Sequence, residues 1–492
     1  MISAARIGWP RLAVPGLWLM LALGGCATVD PYAAAPMMQH LDRDDAVGYC
    51  ARLFADADRR VDSLGVRDAE APRIEGFPYL RVDRFSAALA GRAKSAAQQD
   101  AWRTRLQQLD EIGRDTELPN AAVSIEDLRR CRSLLAAADT AAFGPLQRAA
   151  KVPVNYSSAM RTVGVYPLAR LLFAAGVSTW QKEIQSVFAA PIDALPVKGR
   201  LQTYVPRVQT FANVGPLAQD ALGVPVLSRI DLDALLARHA PELQIDVDAP
   251  YDLPGALTLD ADDRVTVDHA APVAYTRLAY TVIGGLIHPQ LIYTFWFSER
   301  PRRGELDLLS GQLDGVVWRV TLDNEGAALV YDSMHACGCY HLFFPTERVA
   351  ARPLPATLDE SLFIPQQVRR VERHERIKLR IESGTHYLQR VQVISTSEAS
   401  ATQASATTAV PYMLQDERTV TMLGRRGDGT RSAFGPDGLV AGSERAERWF
   451  FWPMGIVSAG QMRQWGHHAT AFVGRRHFDD PLLFDVYFEI VH

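Results

Sequence analysis

Hydrophobic positions recur at helical spacing through the first third of the chain. Val47, Cys50, Phe54, Ala57, Val61 and Leu64 fall at steps of three and four and make one apolar stripe with a cysteine in it. Trp102, Leu106, Leu109 and Ile112 suggest a second helix. Ser124, a good N-cap with Asp127 at the N3 position, opens a third, with Leu128, Cys131 and Leu135 on one face. Residues 160–188 read as a further helix interrupted by Pro167, with Leu168, Leu171, Leu172, Ala175 and Trp180 prominent. Its charges Arg161, Arg170, Lys182 and Glu183 are scattered, which favours a core helix over one lying on a membrane surface. Pro191, Pro196, Pro206 and Pro216 mark irregular connections before a short helix at 230–239.

Beyond about 240 the period changes to that of strands. Residues 243–247 alternate, 257–267 read as a hairpin about 260–263, and 291–297 are apolar on both faces, as in a buried central strand. A second hairpin joins 316–322 to 327–333 through Asp323-Asn324-Glu325-Gly326. A third joins 377–381 to 386–394 around Glu382-Ser383-Gly384-Thr385. The expected fold is α+β: a helical domain over 40–150, a helical and irregular connecting region over 151–240, and a β-rich, mainly antiparallel domain over 241–492. The Ser/Thr/Ala/Gln tract at 395–409 reads as an exposed loop of that domain. No internal repeat is visible.

The N-terminus has a different character. Arg6 and Arg11 precede an apolar run at 17–23, too short to span a bilayer, and Leu23-Gly24-Gly25-Cys26 follows. This segment resembles the signal peptide and lipobox of bacterial lipoproteins. The resemblance covers residues 1–26 and implies that 1–25 are removed, that Cys26 carries the lipids and that 26–39 tether the body. With Ala27 after the cysteine it further implies the outer membrane, with the body facing the periplasm. No later run reaches the roughly eighteen apolar residues of a membrane span. The 492 residues exceed one usual core; 48% hydrophobic and 22% charged content is ordinary for a folded protein, and a net charge of −4 argues against a nucleic-acid partner.

Setting Cys26 aside, four of the five cysteines remain. Cys50 with Cys131 is the pairing that suits two inward-facing helices, and export makes oxidation plausible. Cys337 and Cys339 are then left to each other, as a strained and reducible disulfide, or to a metal.

They sit in Tyr331-Asp332-Ser333-Met334-His335-Ala336-Cys337-Gly338-Cys339-Tyr340-His341, the densest group of ligand-type side chains in the chain. A strand continuing through His341 would place His335, Cys337, Cys339 and His341 on one face. Same-face neighbours are roughly 6.5–7 Å apart, so the outer two, about 20 Å apart, cannot share an ion. One adjacent pair could hold zinc or copper with ligands from elsewhere, His386 and His467-His468 being candidates and Met334 a soft extra. A structural disulfide or a buried polar strand is the plainer reading of the same residues.

In the C-terminal part, Arg445, Arg448, Arg463, Arg475, Arg476, His467, His468 and His477 surround Trp449, Phe450, Phe451, Trp452 and Trp465. Such a mixture suits an acidic ligand or a stacked sugar, although aromatics of this kind usually make core. Glu305, Asp307 and Asp314 are most cheaply read as charged loop residues rather than a carboxylate pair. G-x-S-x-G, H-E-x-x-H, P-loop and C-x-x-C-H motifs are absent, which disfavours the common serine hydrolases, zincins, ATPases and c-type cytochromes. Two functional expectations result. The first is a non-catalytic envelope module binding a partner protein or glycan through the arginine- and aromatic-rich part. The alternative is a metal-binding or thiol-dependent enzyme built on the 335–341 row.

Overall fold

The computed structural model describes residues 30–121, 126–207, 214–355, 357–395 and 409–491. The expected lipobox with Cys26, the expected N-cap Ser124 and residues 396–408 of the expected loop lie outside them.

The predicted helical stripes pack against one another. Helices α1 (Ala46–Leu64), α2 (Ala96–Ala121) and α3 (Glu126–Ala138) enclose Phe54, Val61, Trp102, Leu106, Leu128 and Leu135. Asp45 caps α1 by accepting from the Val47 and Gly48 amides, and Gly65 ends it in a left-handed turn. Cys50 and Cys131 face each other inside this cluster and are disulfide-bonded. Beneath them lies something the periodicity does not show, a buried ionic cluster. Arg81 and Arg114 meet Asp58, Asp110 and Glu117, all almost without solvent exposure. Gly113 leaves the space for it, since a Cβ there would meet the Arg81 guanidinium at 2.5 Å.

Helices α4 (Ser158–Val163) and α5 (Tyr166–Ala189) follow, with Pro167 in the first turn of α5 rather than breaking it. The core-helix reading is corrected here. Only Ile184 and Phe188 of α5 are buried, while Leu168, Leu171 and Leu172 are exposed, Leu172 by 80%. Only the C-terminal turns of α5 reach the sheet, so scattered charge was a poor guide to which face is covered. Helix α6 (Arg229–His239) packs Leu235 and Leu236 onto the same sheet face.

That sheet has ten strands: β1 (Arg200–Pro206), β2 (Glu242–Val247), β3 (Val273–Ile283), β4 (Leu286–Arg300), β5 (Gly311–Leu322), β6 (Ala328–His335), β7 (Leu342–Pro345), β8 (Glu375–Ile381), β9 (Leu388–Ser395) and β10 (Ala409–Asp416). Their spatial order is β7-β6-β5-β4-β3-β10-β1-β2-β8-β9. The pairs are antiparallel except β3 with β10, β10 with β1 and β2 with β8. The fold class is therefore α+β with a mixed sheet. Strand β10 pairs through its first half with β1 and through its second with β3, joining two groups of strands into one sheet.

Strand β1 lies within the stretch read as irregular. It carries Gln202 and Thr203 among its buried residues, so polarity along it does not alternate, and Pro206 closes it. Strand β4 is buried on both faces as expected. Tyr293, Phe295 and Phe297 point with Val316, Trp318 and Tyr331 towards α5 and α6, while Ile292 and Trp296 point with Val317 and Met334 to the opposite side.

Candidate functional site

The 335–341 row does not continue as a strand. Strand β6 ends at His335, and a tight turn follows in which the Gly338 amide donates to the His335 carbonyl (2.7 Å) and the His335 amide to the Cys339 carbonyl (2.9 Å). Gly338 (φ +94°) and Tyr340 (φ +62°) are left-handed. The period of two is lost, and with it the shared face.

The four expected ligands part company as a result. His341 donates from Nε2 to Asp332 (2.8 Å), itself held by Arg319 through two bonds of 2.9 and 2.7 Å. The Arg319 guanidinium lies 3.7 Å over Phe478, which closes a sealed structural network. Burial depresses the His341 pKa to about 3, outweighing the Asp332 carboxylate, so the ring is neutral. Cys337 and Cys339 remain thiols, buried in the same cluster as Met334 and Phe478. His467 donates to the Ala69 carbonyl and His468 to the Ala336 carbonyl. Among the described residues no group of three or more histidine, cysteine or acidic side chains is placed to hold a metal ion.

The C-terminal arginine and aromatic set also disperses. Arg445, Arg463 and Arg476 are buried and donate to carbonyls, Arg445 to Leu309 and Gly311, Arg463 to Cys337 and Ser458, Arg476 to Ser361 and Thr470. Trp465 lies under the Arg277 guanidinium, which is itself paired with Glu70. Arg448, Trp449, Trp452 and Arg475 stay towards the surface. Buried guanidinium groups need oxygen acceptors, and here backbone carbonyls of both nearby and distant segments supply them.

What the fold does assemble is centred on Asp314. This residue was read as a loop carboxylate, but it stands on β5 and is 1% exposed. One oxygen accepts from His335 Nδ1 (3.2 Å) and the other from His386 Nδ1 (2.8 Å). On the far side of His386, Nε2 lies 3.4 Å from Asp252, whose carboxylate accepts from the Ser383 hydroxyl (3.0 Å) and the Gly384 amide (2.6 Å). The His386 ring stacks on Phe297 with centroids 4.0 Å apart. His386 does not open β9 as expected; it ends the preceding turn at φ +54°, two residues before Leu388. A signal for Asp314 was present, because extending the alternation of Val316, Trp318, Val320 and Leu322 back by one step puts Asp314 on their face. Nothing local pointed to Asp252.

The electrostatics divide the groups. Burial alone would raise Asp314, but His335 and His386 outweigh it and hold this carboxyl well below the usual range. Burial lowers His335, against the pull of Asp314. His386 is raised, since hydrogen bonds and charge from Asp252 and Asp314 overcome its burial. An ionised carboxylate only accepts, so His335 carries its proton on Nδ1 and has a free lone pair on Nε2. Glu447 lies nearby; burial pushes its pKa up to about 7 against Arg445 and Arg300.

A cavity of about 10 Å³, the size of one water, touches Ser333, His335, His386, Tyr340 and Tyr387, and α5 covers it with Trp180 and Ile184. Tyr340 stands edge-on to His335 at 5.0 Å, and Arg300 donates to the Tyr387 hydroxyl (3.2 Å). Of the six left-handed non-glycine residues among those described, Leu313, Tyr340 and His386 belong to this centre. Each costs of order 1–3 kcal/mol, and such strain gathers where geometry is functional. A larger cavity of about 240 Å³ lies elsewhere, between Glu70, Arg229, Arg277 and Glu417, but Arg277 there is already paired with both glutamates.

Comparison with protein-family models, with curated proteins and with solved structures returns no match.

Glu447 gives the fold a pH dependence. Its native carboxyl holds a proton up to about pH 7, whereas the unfolded chain releases it near the ordinary glutamate value of 4.5. Its contribution is present below 4.5 and is lost as pH rises towards 7, on the order of 3 kcal/mol in all. Glu447→Gln is expected to flatten that part of the curve of unfolding free energy against pH. An unchanged curve would mean that Glu447 is not the titrating group.

Proposed function

We propose that the protein is an envelope enzyme tethered to the outer membrane through a lipidated Cys26, facing the periplasm, and that it works by general acid–base chemistry. His335, oriented by ionised Asp314, takes a proton from a water or a substrate hydroxyl and returns it to the leaving group. An imidazole held by a carboxylate can serve as base and then as acid at one pH. The observation that carries the reading is the sealed Asp314–His335 pair, with Nε2 free of protein partners among the described residues and beside a water-sized cavity. Substrate enters as α5 moves aside, since Trp180 and Ile184 form the cover. Envelope glycans and peptides are the substrate classes the location implies.

The test is a turnover screen of envelope glycans, peptides and simple esters with the wild type, Asp314→Asn and His335→Gln, alongside mass analysis of the N-terminal peptide for lipid. Both variants are expected to lose about 100-fold or more in rate. Turnover that survives in both would overturn the assignment. Binding of a glycan or protein without turnover would return the protein to the non-catalytic binding class.

A further inference from the structure

Cys337 and Cys339 lie outside the acid–base centre. They are one glycine apart, and Gly338 takes φ +94°, where an added Cβ would meet the Ala469 carbonyl oxygen at 2.7 Å. The turn's two internal hydrogen bonds, His335 amide to Cys339 carbonyl and Gly338 amide to His335 carbonyl, bring both thiols to the same side. Their side chains are within hydrogen-bonding reach of each other. Both line a second cavity of about 10 Å³, walled by Ile456, Gly460, Thr470 and Phe472.

Arg463 supplies a second observation. Its buried guanidinium donates to the carbonyls of Cys337 (3.2 Å), Val457 (2.5 Å) and Ser458 (2.8 Å), and Ser458 is held at φ +46° to present that oxygen. Among the described residues it forms no ion pair with a carboxylate, while its charge acts on both thiols. A buried cation without a counterion is costly, and a thiolate is the anion this site can generate. Hydrogen bonding to Cys337 and burial keep the Cys339 thiol up, so the pair rests as a dithiol.

We propose that Cys337 and Cys339 are a reversible dithiol–disulfide couple that exchanges two electrons with an external disulfide. One cysteine, as thiolate, attacks a sulfur of the incoming R–S–S–R; that S–S bond breaks, and RS⁻ leaves and takes up the released proton. The second cysteine then loses its proton and attacks the mixed disulfide at the protein sulfur, expelling the second RS⁻. Two protein thiols are oxidised to one disulfide and R–S–S–R is reduced to two RSH. Gly338 supplies the freedom to close so short a ring. The Cys339 carbonyl accepts from the His335 backbone amide, so closure is also felt at the end of β6.

Equilibration of the purified protein in glutathione buffers from reducing to oxidising, followed by acid quenching, denaturation, alkylation and mass analysis of the peptide containing both residues, tests this. The two alkylation sites are expected to disappear together, leaving a peptide two hydrogen atoms lighter, while Cys50–Cys131 serves as an unchanging reference. In Arg463→Met, which loses the charge that favours the attacking thiolate, oxidation should run about threefold slower, and Arg463→Lys should restore its rate. Thiols that stay alkylatable in the most oxidising buffer, or that each take up glutathione separately, would sink the proposal. So would an Arg463→Met oxidation rate equal to the wild type's. None of these readouts depends on turnover, so the acid–base assignment stands or falls separately.

Discussion

Asp314→Ala is expected to destabilise the protein by about 3–5 kcal/mol and to silence the acid–base centre. Among the described residues the carboxylate is the sole partner of His335 Nδ1 and one of two carboxylates around His386, and Arg445 lies 3.8 Å from it. Without it, a histidine whose pKa is raised in the fold is left against Asp252 alone, inside a core sealed by Phe297. Chemical denaturation of Asp314→Ala, His386→Phe and the double variant separates the pair's coupling from loss of packing. The double variant should be more stable than the sum of the single losses predicts, because the Asp314–His386 interaction is lost in each single variant and is counted twice in their sum. A loss below about 1 kcal/mol in Asp314→Ala would mean that the network is hydrated and weak.

The second large effect belongs to the helical layer. Cys50 and Cys131 are 81 residues apart in sequence, and cross-linking a loop of that length removes chain entropy from the unfolded state. Replacing both with alanine is expected to cost about 4 kcal/mol and to raise hydrogen exchange first in α1, α2 and α3. The sheet should keep its protection, because its core is formed by other residues. Exchange that rises equally in β4 and β5 would show instead that the two layers unfold as one unit.

How far the sequence was legible depends on whether a feature is local. The stripe containing Cys50, the face containing Cys131, the hairpins at 257–267 and 316–333, and the two-faced strand at 291–297 are written in periods of 3.6 and 2, and each appears in the structure. An α+β chain with the Cys50–Cys131 pairing could therefore be stated from the residues alone, because a period reports which face of an element is buried whatever packs on it.

The site could not. Asp314 and His386 are 72 residues apart, and nothing in either segment says that β5 and the turn before β9 converge. The row from His335 to His341 looked like one face because alternation was extended through Gly338, whose left-handed backbone ends the strand. The exposure of Leu168, Leu171 and Leu172 was hidden for the same reason, since hydropathy shows that a face is apolar and not whether anything covers it. The sequence by itself determined the helical stripes around Cys50 and Cys131, the hairpins, the two-faced central strand and the disulfide partners, all consequences of short-range spacing. Only the tertiary structure decided which buried polar groups meet, because a buried carboxylate or imidazole must find partners, and those come from distant segments that hydrophobic packing brings together.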